Sequence, residues 1–169
     1  MPTQNLPLQP SKHSVSPEEK DTFLFWVQSF LDEQRTVILA TCQESTPACN
    51  LMCFGLLPTK CSLVLATPEN TRKCMAMRHN PNVSVLAADG RAFNQDLQGG
   101  TAVTLNARAR EIQDQERYKA EEAFIARNPD LKDFASSPQS VLFGIDVYHV
   151  VAVSNFQELT ELYLEDACR

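Results

Sequence analysis

Residues 61–87 read CSLVLATPENTRKCMAMRHNPNVSVLA, and this stretch decides how the rest of the chain is organised. Residues 62–66 are a compact apolar run with β-compatible side chains, which predicts a strand. Thr67-Pro68-Glu69-Asn70 is turn chemistry, because proline fixes φ and asparagine bonds its own backbone locally. Residues 71–79 set Cys74, Met75 and Met77 among basic side chains, a short helix that Asn80-Pro81 stops. Residues 83–87 form a second apolar strand.

The turn and the helix start carry two hydroxyls, Thr67 and Thr71, and two cations, Arg72 and Lys73. A helix N-terminus already offers unpaired N–H groups and partial positive charge. Arg adjoining it can hold two phosphate oxygens at once, so a phosphate site makes chemical sense here. A solvated helix start with ordinary surface cations has the same local pattern.

Outward from this segment the chain reads as short strands and a few helices. Residues 1–15 form a flexible N-terminal arm, and residues 16–169 a single domain. Ser16-Pro17-Glu18-Glu19 opens a helix that runs to about Gln34: Ser caps, Pro sits in the first turn, and the acids suit the dipole. Trp26 and its neighbouring phenylalanines read as packing groups. Residues 36–42 (TVILATC) are a β-branched strand, 43–47 a polar hairpin connection, and 48–57 the next strand. A polar, Gly-ended loop spans 89–100. Residues 101–112 alternate cleanly, as a strand with one wet face does. Residues 115–126 predict a helix, 141–154 the last long strand, and 158–167 a short tail of mixed pattern. Tight turns between short strands point to antiparallel pairing. The expected fold is therefore mainly β (α+β), an antiparallel six-stranded barrel, closed or partly open, with peripheral helices.

Composition narrows the function. In 169 residues the net charge is −6 and the pI about 5.0, which argues against a general nucleic-acid binder. No apolar stretch approaches the roughly 18 residues of a membrane span. The N-terminal MPTQNLPLQPSKHS lacks the apolar core of a signal peptide, so a cytoplasmic location is expected. Six cysteines (Cys42, Cys49, Cys53, Cys61, Cys74, Cys168) contain no C-x-x-C pair. Cys49 and Cys53 lie roughly 13 Å apart along a strand, too far for a bridge or a shared ion. No metal site is expected. Serine-hydrolase, Walker, zinc-protease and dinucleotide fingerprints are absent, and His13, His79 and His149 are scattered, so no catalytic residue emerges.

Ala66-Thr67, Thr71-Arg72-Lys73, Asn80-Pro81 and Val83-Ser84-Val85 follow one another without a gap. In this order they resemble the flavin-phosphate segment of the pyridoxamine 5′-phosphate oxidase-like family, the FMN-binding split β-barrels. The resemblance covers residues 36 to about 156. It implies a split barrel, FMN as cofactor, and a homodimer with the cofactor at the subunit interface. It implies that Arg72 and Lys73 neutralise the FMN phosphate and that Thr67 and Thr71 add hydroxyl hydrogen bonds. It further implies that Ala66 ends the phosphate strand and that Asn50, Leu51 and Met52 line the flavin ring. Thr101 falls where the family carries a flavin-contacting glutamine.

The oxidase itself also uses a cationic strand and a C-terminal substrate motif. Residues 51–56 here carry no cation and the sequence ends Glu-Asp-Ala-Cys-Arg, so a different small substrate is expected. The first functional expectation is thus an FMN-dependent oxidoreductase, in which the cofactor carries the redox chemistry. The alternatives are a haem-binding or haem-degrading split barrel, with His149 or a cysteine as axial ligand, and a non-catalytic flavin-binding or interaction module.

Overall fold

The computed structural model describes residues 11–58, 62–90, 99–155 and 157–164. The strands are β1 (Ser11–Ser14), β2 (Thr36–Gln43), β3 (Thr46–Leu56), β4 (Leu63–Pro68), β5 (Asn82–Ala88), β6 (Ala102–Glu111), β7 (Ser140–Ser154) and β8 (Glu158–Tyr163). The helices are α1 (Lys20–Glu33), α2 (Arg72–His79), α3 (Asp114–Arg127) and α4 (Lys132–Ala135), with a 3-10 turn at Pro129–Leu131.

Six strands close a barrel in the order β7-β4-β3-β2-β5-β6, returning to β7, and all six pairings are antiparallel. Strand β7 makes the split. Its first half pairs with β4, and its second half leaves β4 and pairs with β8 on the same edge. Its other edge carries β6 from Phe143 to Val153, with a register shift between Asn106 and Ala107. The six-stranded, mainly β barrel anticipated above is the observed fold.

Two strands depart from expectation. Ser11–Ser14, assigned to the flexible arm, pairs parallel with β8, and residues 1–10 lie outside the described residues. The stretch read as a mixed tail is strand β8 as far as Tyr163. Strand β1 is wholly polar and exposed, and β8 sends only Leu162 into the core, because they extend the sheet beyond the closed barrel, where little apolar surface needs cover. The first helix starts at Lys20 rather than at Ser16. Ser16 does not cap it; instead the Glu19 carboxylate accepts from the Ser16 N–H at 3.0 Å.

The core has two parts. Inside the barrel Val37, Leu39, Phe54, Leu65, Val85, Leu105, Phe143 and Val150 meet Leu24, Val27, Phe30 and Leu31 of α1 and Cys74 and Met77 of α2. Outside it, Ala120 and Phe124 of α3 pack on Val64, Ala66 and Leu142. Helix α3 is pinned at its end. The Asn128 Nδ2 group donates to the Phe54 and Phe124 carbonyls, both at 2.9 Å. The Arg127 guanidinium lies 4.4 Å over the Phe54 ring and donates to the carbonyls of Leu31, Asp32 and Gln34, capping α1.

Candidate functional site

The turn before α2 is built by its two threonines. Thr67 is fully buried, and its Oγ1 lies 2.9 Å from Oγ1 of Thr71. Thr71 caps α2: its hydroxyl donates to the Pro68 carbonyl at 3.0 Å and accepts from the Cys74 N–H at 3.3 Å. Both hydroxyls are thus spent on shaping the turn. Cys74 is buried under the helix, and burial pushes its thiol pKa up despite the nearby cations, so it packs rather than reacts.

Beyond the cap, Arg72 and Lys73 line a cavity of about 220 Å³ between α2 and the β2–β3 hairpin. Thr41, Gln43, Thr46, Asn50 and Ala76 share its wall with Ala48, Cys49 and one carboxylate, Glu44. The hairpin turn, Glu44-Ser45, holds φ of 48° and 65°, so two non-glycine residues occupy the left-handed region at its rim. Two cations, an amide, three hydroxyl or amide side chains from the hairpin and the first turn of a helix suit a small anion.

The structure gathers some of the predicted residues and disperses others. Asn50, Arg72 and Lys73 share the cavity, and Thr67 and Thr71 form the turn behind it. Leu51 points away on the outer sheet face and is 71% exposed. Met52 and Ala66 are buried in the barrel core and beneath α3 respectively, so their side chains do not reach the cavity. Thr101 lies elsewhere. Asn50 is level with Leu39, Val85 and Leu105 across the ladders, and Thr101 lies four residues before Leu105 and three strands away. At strand spacings that is on the order of 15–20 Å. Thr101 lines a different cavity, with His13 and Trp26.

The sequence reading missed Thr41, Gln43 and Thr46. One signal was available: Thr41 continues the inward alternation of Val37 and Leu39, and a buried polar side chain in a core slot points to a site. His149 is not open. Its Nδ1 lies 3.1 Å from Asn106 Nδ2, its ring stacks on Tyr163 at 4.0 Å, and its Nε2 is enclosed 3.7 Å from Glu161.

Helix α2 is held in place by Arg78, whose guanidinium grips Glu111 at 2.8 and 3.0 Å and touches Glu69 at 3.3 Å. The Arg78 hydrogen bonds hold the Glu111 carboxyl below its ordinary range. The pair therefore stabilises the fold above the unfolded carboxyl pKa of about 4.3, and that contribution disappears as pH falls through the lower folded value. Arg78→Ala is expected to lower the melting temperature at neutral pH and to flatten its decline between about pH 5 and pH 3. Melts at a series of pH values check this; parallel curves for variant and wild type would refute it.

Among the described residues no helix is long and apolar enough to cross a membrane. Comparison with curated proteins gives no match. Solved structures with the same fold include a haem-binding protein of Mycobacterium smegmatis, with TM-score 0.72 and 19% identity over 80% of this chain and 55% of that one. The chain thus spans about half the length of that relative. HutZ, a haem storage protein of Vibrio cholerae, gives 0.63 and 17% over 72% and 87%. An FAD-binding protein of Mesorhizobium loti gives 0.61 and 19% over 76% and 90%. At such identities these likenesses show the fold alone. The sequence model of pyridoxamine 5′-phosphate oxidase matches residues 26–153, from α1 almost to the end of β7. The chain belongs to the pyridoxamine 5′-phosphate oxidase family.

Proposed function

We propose that the protein binds FMN, its phosphate in the cavity between α2 and the β2–β3 hairpin, and acts as an FMN-dependent oxidoreductase on a small substrate. The observation that carries this reading is the convergence of Arg72, Lys73 and Asn50 on one cavity at a helix start. The two cations supply charge-assisted bonds, and the first-turn N–H groups of α2 supply the dipole end. Thr67 and Thr71 position these groups by fixing the turn. Bound flavin would supply the electron transfer; the chain would bind and orient it.

The reading includes a homodimer. The outer sheet face presents aligned rows, Leu51-Ile38-Leu86-Thr104-Val151 and Ala88-Ala102-Val153-Leu159, none of them buried within the chain. Such a broad apolar face suits a partner subunit. Haem binding through His149, suggested by the neighbouring folds, finds less support, because an axial imidazole must be open and Nε2 of His149 is enclosed.

The test is an absorption spectrum of the freshly purified protein, taken with its molar mass in solution. Paired near-ultraviolet and blue flavin bands on a dimer are expected, either at once or after FMN is added. A lone Soret band, or no flavin spectrum at FMN saturation, would overturn the proposal.

A further inference from the structure

A second cavity, of about 710 Å³, lies away from the one at α2. It lies between α1, β1 and the ends of β6, β7 and β8, at the opposite end of β6 from the side where α2 packs. Its size is that of small-molecule sites. Phe23 and Trp26 form one wall and continue into Phe30, with ring centroids 5.7 and 5.8 Å apart and planes within 25°. Ala152 and Val15 add apolar surface, and Thr22, Thr101, Ser154 and Thr160 set hydroxyls around it.

The charges facing this cavity are of one sign, apart from an imidazole. Among the described residues, Glu18 and Glu19 line it, His13 is the single nitrogen base, and neither Lys nor Arg is in its wall. The Ser16 N–H, and His13 at 3.2 Å, lower the Glu19 carboxyl pKa. An anionic ligand would therefore meet repulsion, whereas a flat cation would gain both the aromatic faces and the carboxylates. The contrast with the Arg72–Lys73 cavity is one of opposite sign. We propose that this second cavity is a binding site for a flat aromatic cation, formed by α1, β1 and the rims of β6 to β8. The proposal does not depend on flavin occupying the first cavity.

Trp26 is the chain's single tryptophan, so its emission reports on this cavity alone. The test titrates the full-length protein with 10-methylacridinium, and separately with anthracene-9-carboxylate, which has a similar ring system and the opposite charge. Calorimetry measures affinity, and Trp26 quenching reports location. Saturable one-site binding of the cation is expected, at least about tenfold tighter than the anion. The Glu18→Gln, Glu19→Gln double variant should bring the two affinities within about threefold. Thr22→Phe, at an exposed helix position, should block the cavity and abolish binding. Arg72→Ala, Lys73→Ala should leave acridinium binding unchanged, so loss of flavin binding in that variant leaves this proposal standing. The absence of saturation, equal affinity for the anion, or acridinium binding that survives Thr22→Phe would overturn it.

Discussion

Replacing Arg72 and Lys73 together by alanine is expected to weaken FMN binding by about 3–6 kcal/mol, a factor of roughly 10² to 10⁴. Both side chains line the cavity at the α2 start, and each would lose a charge-assisted bond to phosphate. Neither residue is buried, so the melting temperature without ligand should barely move. The two single variants should divide the effect unequally. A guanidinium can bind two phosphate oxygens and an ammonium acts as a point charge, so Arg72→Lys should recover only part of the loss. Flavin titrations of the four variants check this. Unchanged affinity in the double variant would place the phosphate elsewhere.

Gly55→Ala should be the most damaging small substitution in the barrel wall. A Cβ at Gly55 would stand 2.7 Å from the Ala123 carbonyl oxygen and from the Phe124 N and Cα atoms. These are backbone atoms of α3, and no rotamer change relieves the clash. Helix α3 must lift from β3, loosening the packing of Phe124 and Ala120 and the Asn128 bond to Phe54. The cost should be about 3 kcal/mol, the upper end for overpacking. For a chain of this length that lowers the melting temperature by about 6–12 °C. FMN affinity at low temperature should be nearly unchanged, because α3 contributes nothing to the cavity at α2. A melting temperature within about 2 °C of wild type would contradict the packing described here.

The two variants separate what could be read from the sequence from what could not. The helix start at Thr71 was legible because its causes are local: a capping hydroxyl, a proline turn, and Asn80-Pro81 as a stop. The barrel strands were legible from β-branched runs, since Val37, Leu39, Val83 and Val85 all face one core. Strands β1 and β8 were not: SKHS has no apolar residue, and in ELTELY Leu159 and Leu162 fall on opposite faces, so neither face reads as apolar. Side-chain direction was the weak point at the site. Met52 and Leu51 are adjacent, yet one faces the core and the other solvent, and a one-residue uncertainty in register exchanges their roles. Distance was the other. Thr101 lies 28 residues beyond Lys73, but only the β5–β6 register shows that it belongs to the far end of the sheet. Close approach of backbones, as at Gly55, leaves no mark in a single sequence at all.

The central claim is that the α2 start reads a flavin phosphate, and comparing FMN with riboflavin tests it most directly. The two ligands share the ring and the ribityl chain and differ only in the phosphate. Equilibrium titrations of the wild-type protein, at matched ionic strength, should show FMN bound at least about 100-fold tighter than riboflavin. That preference should disappear in the Arg72→Ala, Lys73→Ala variant. Equal affinity of the wild-type protein for the two ligands would contradict the claim.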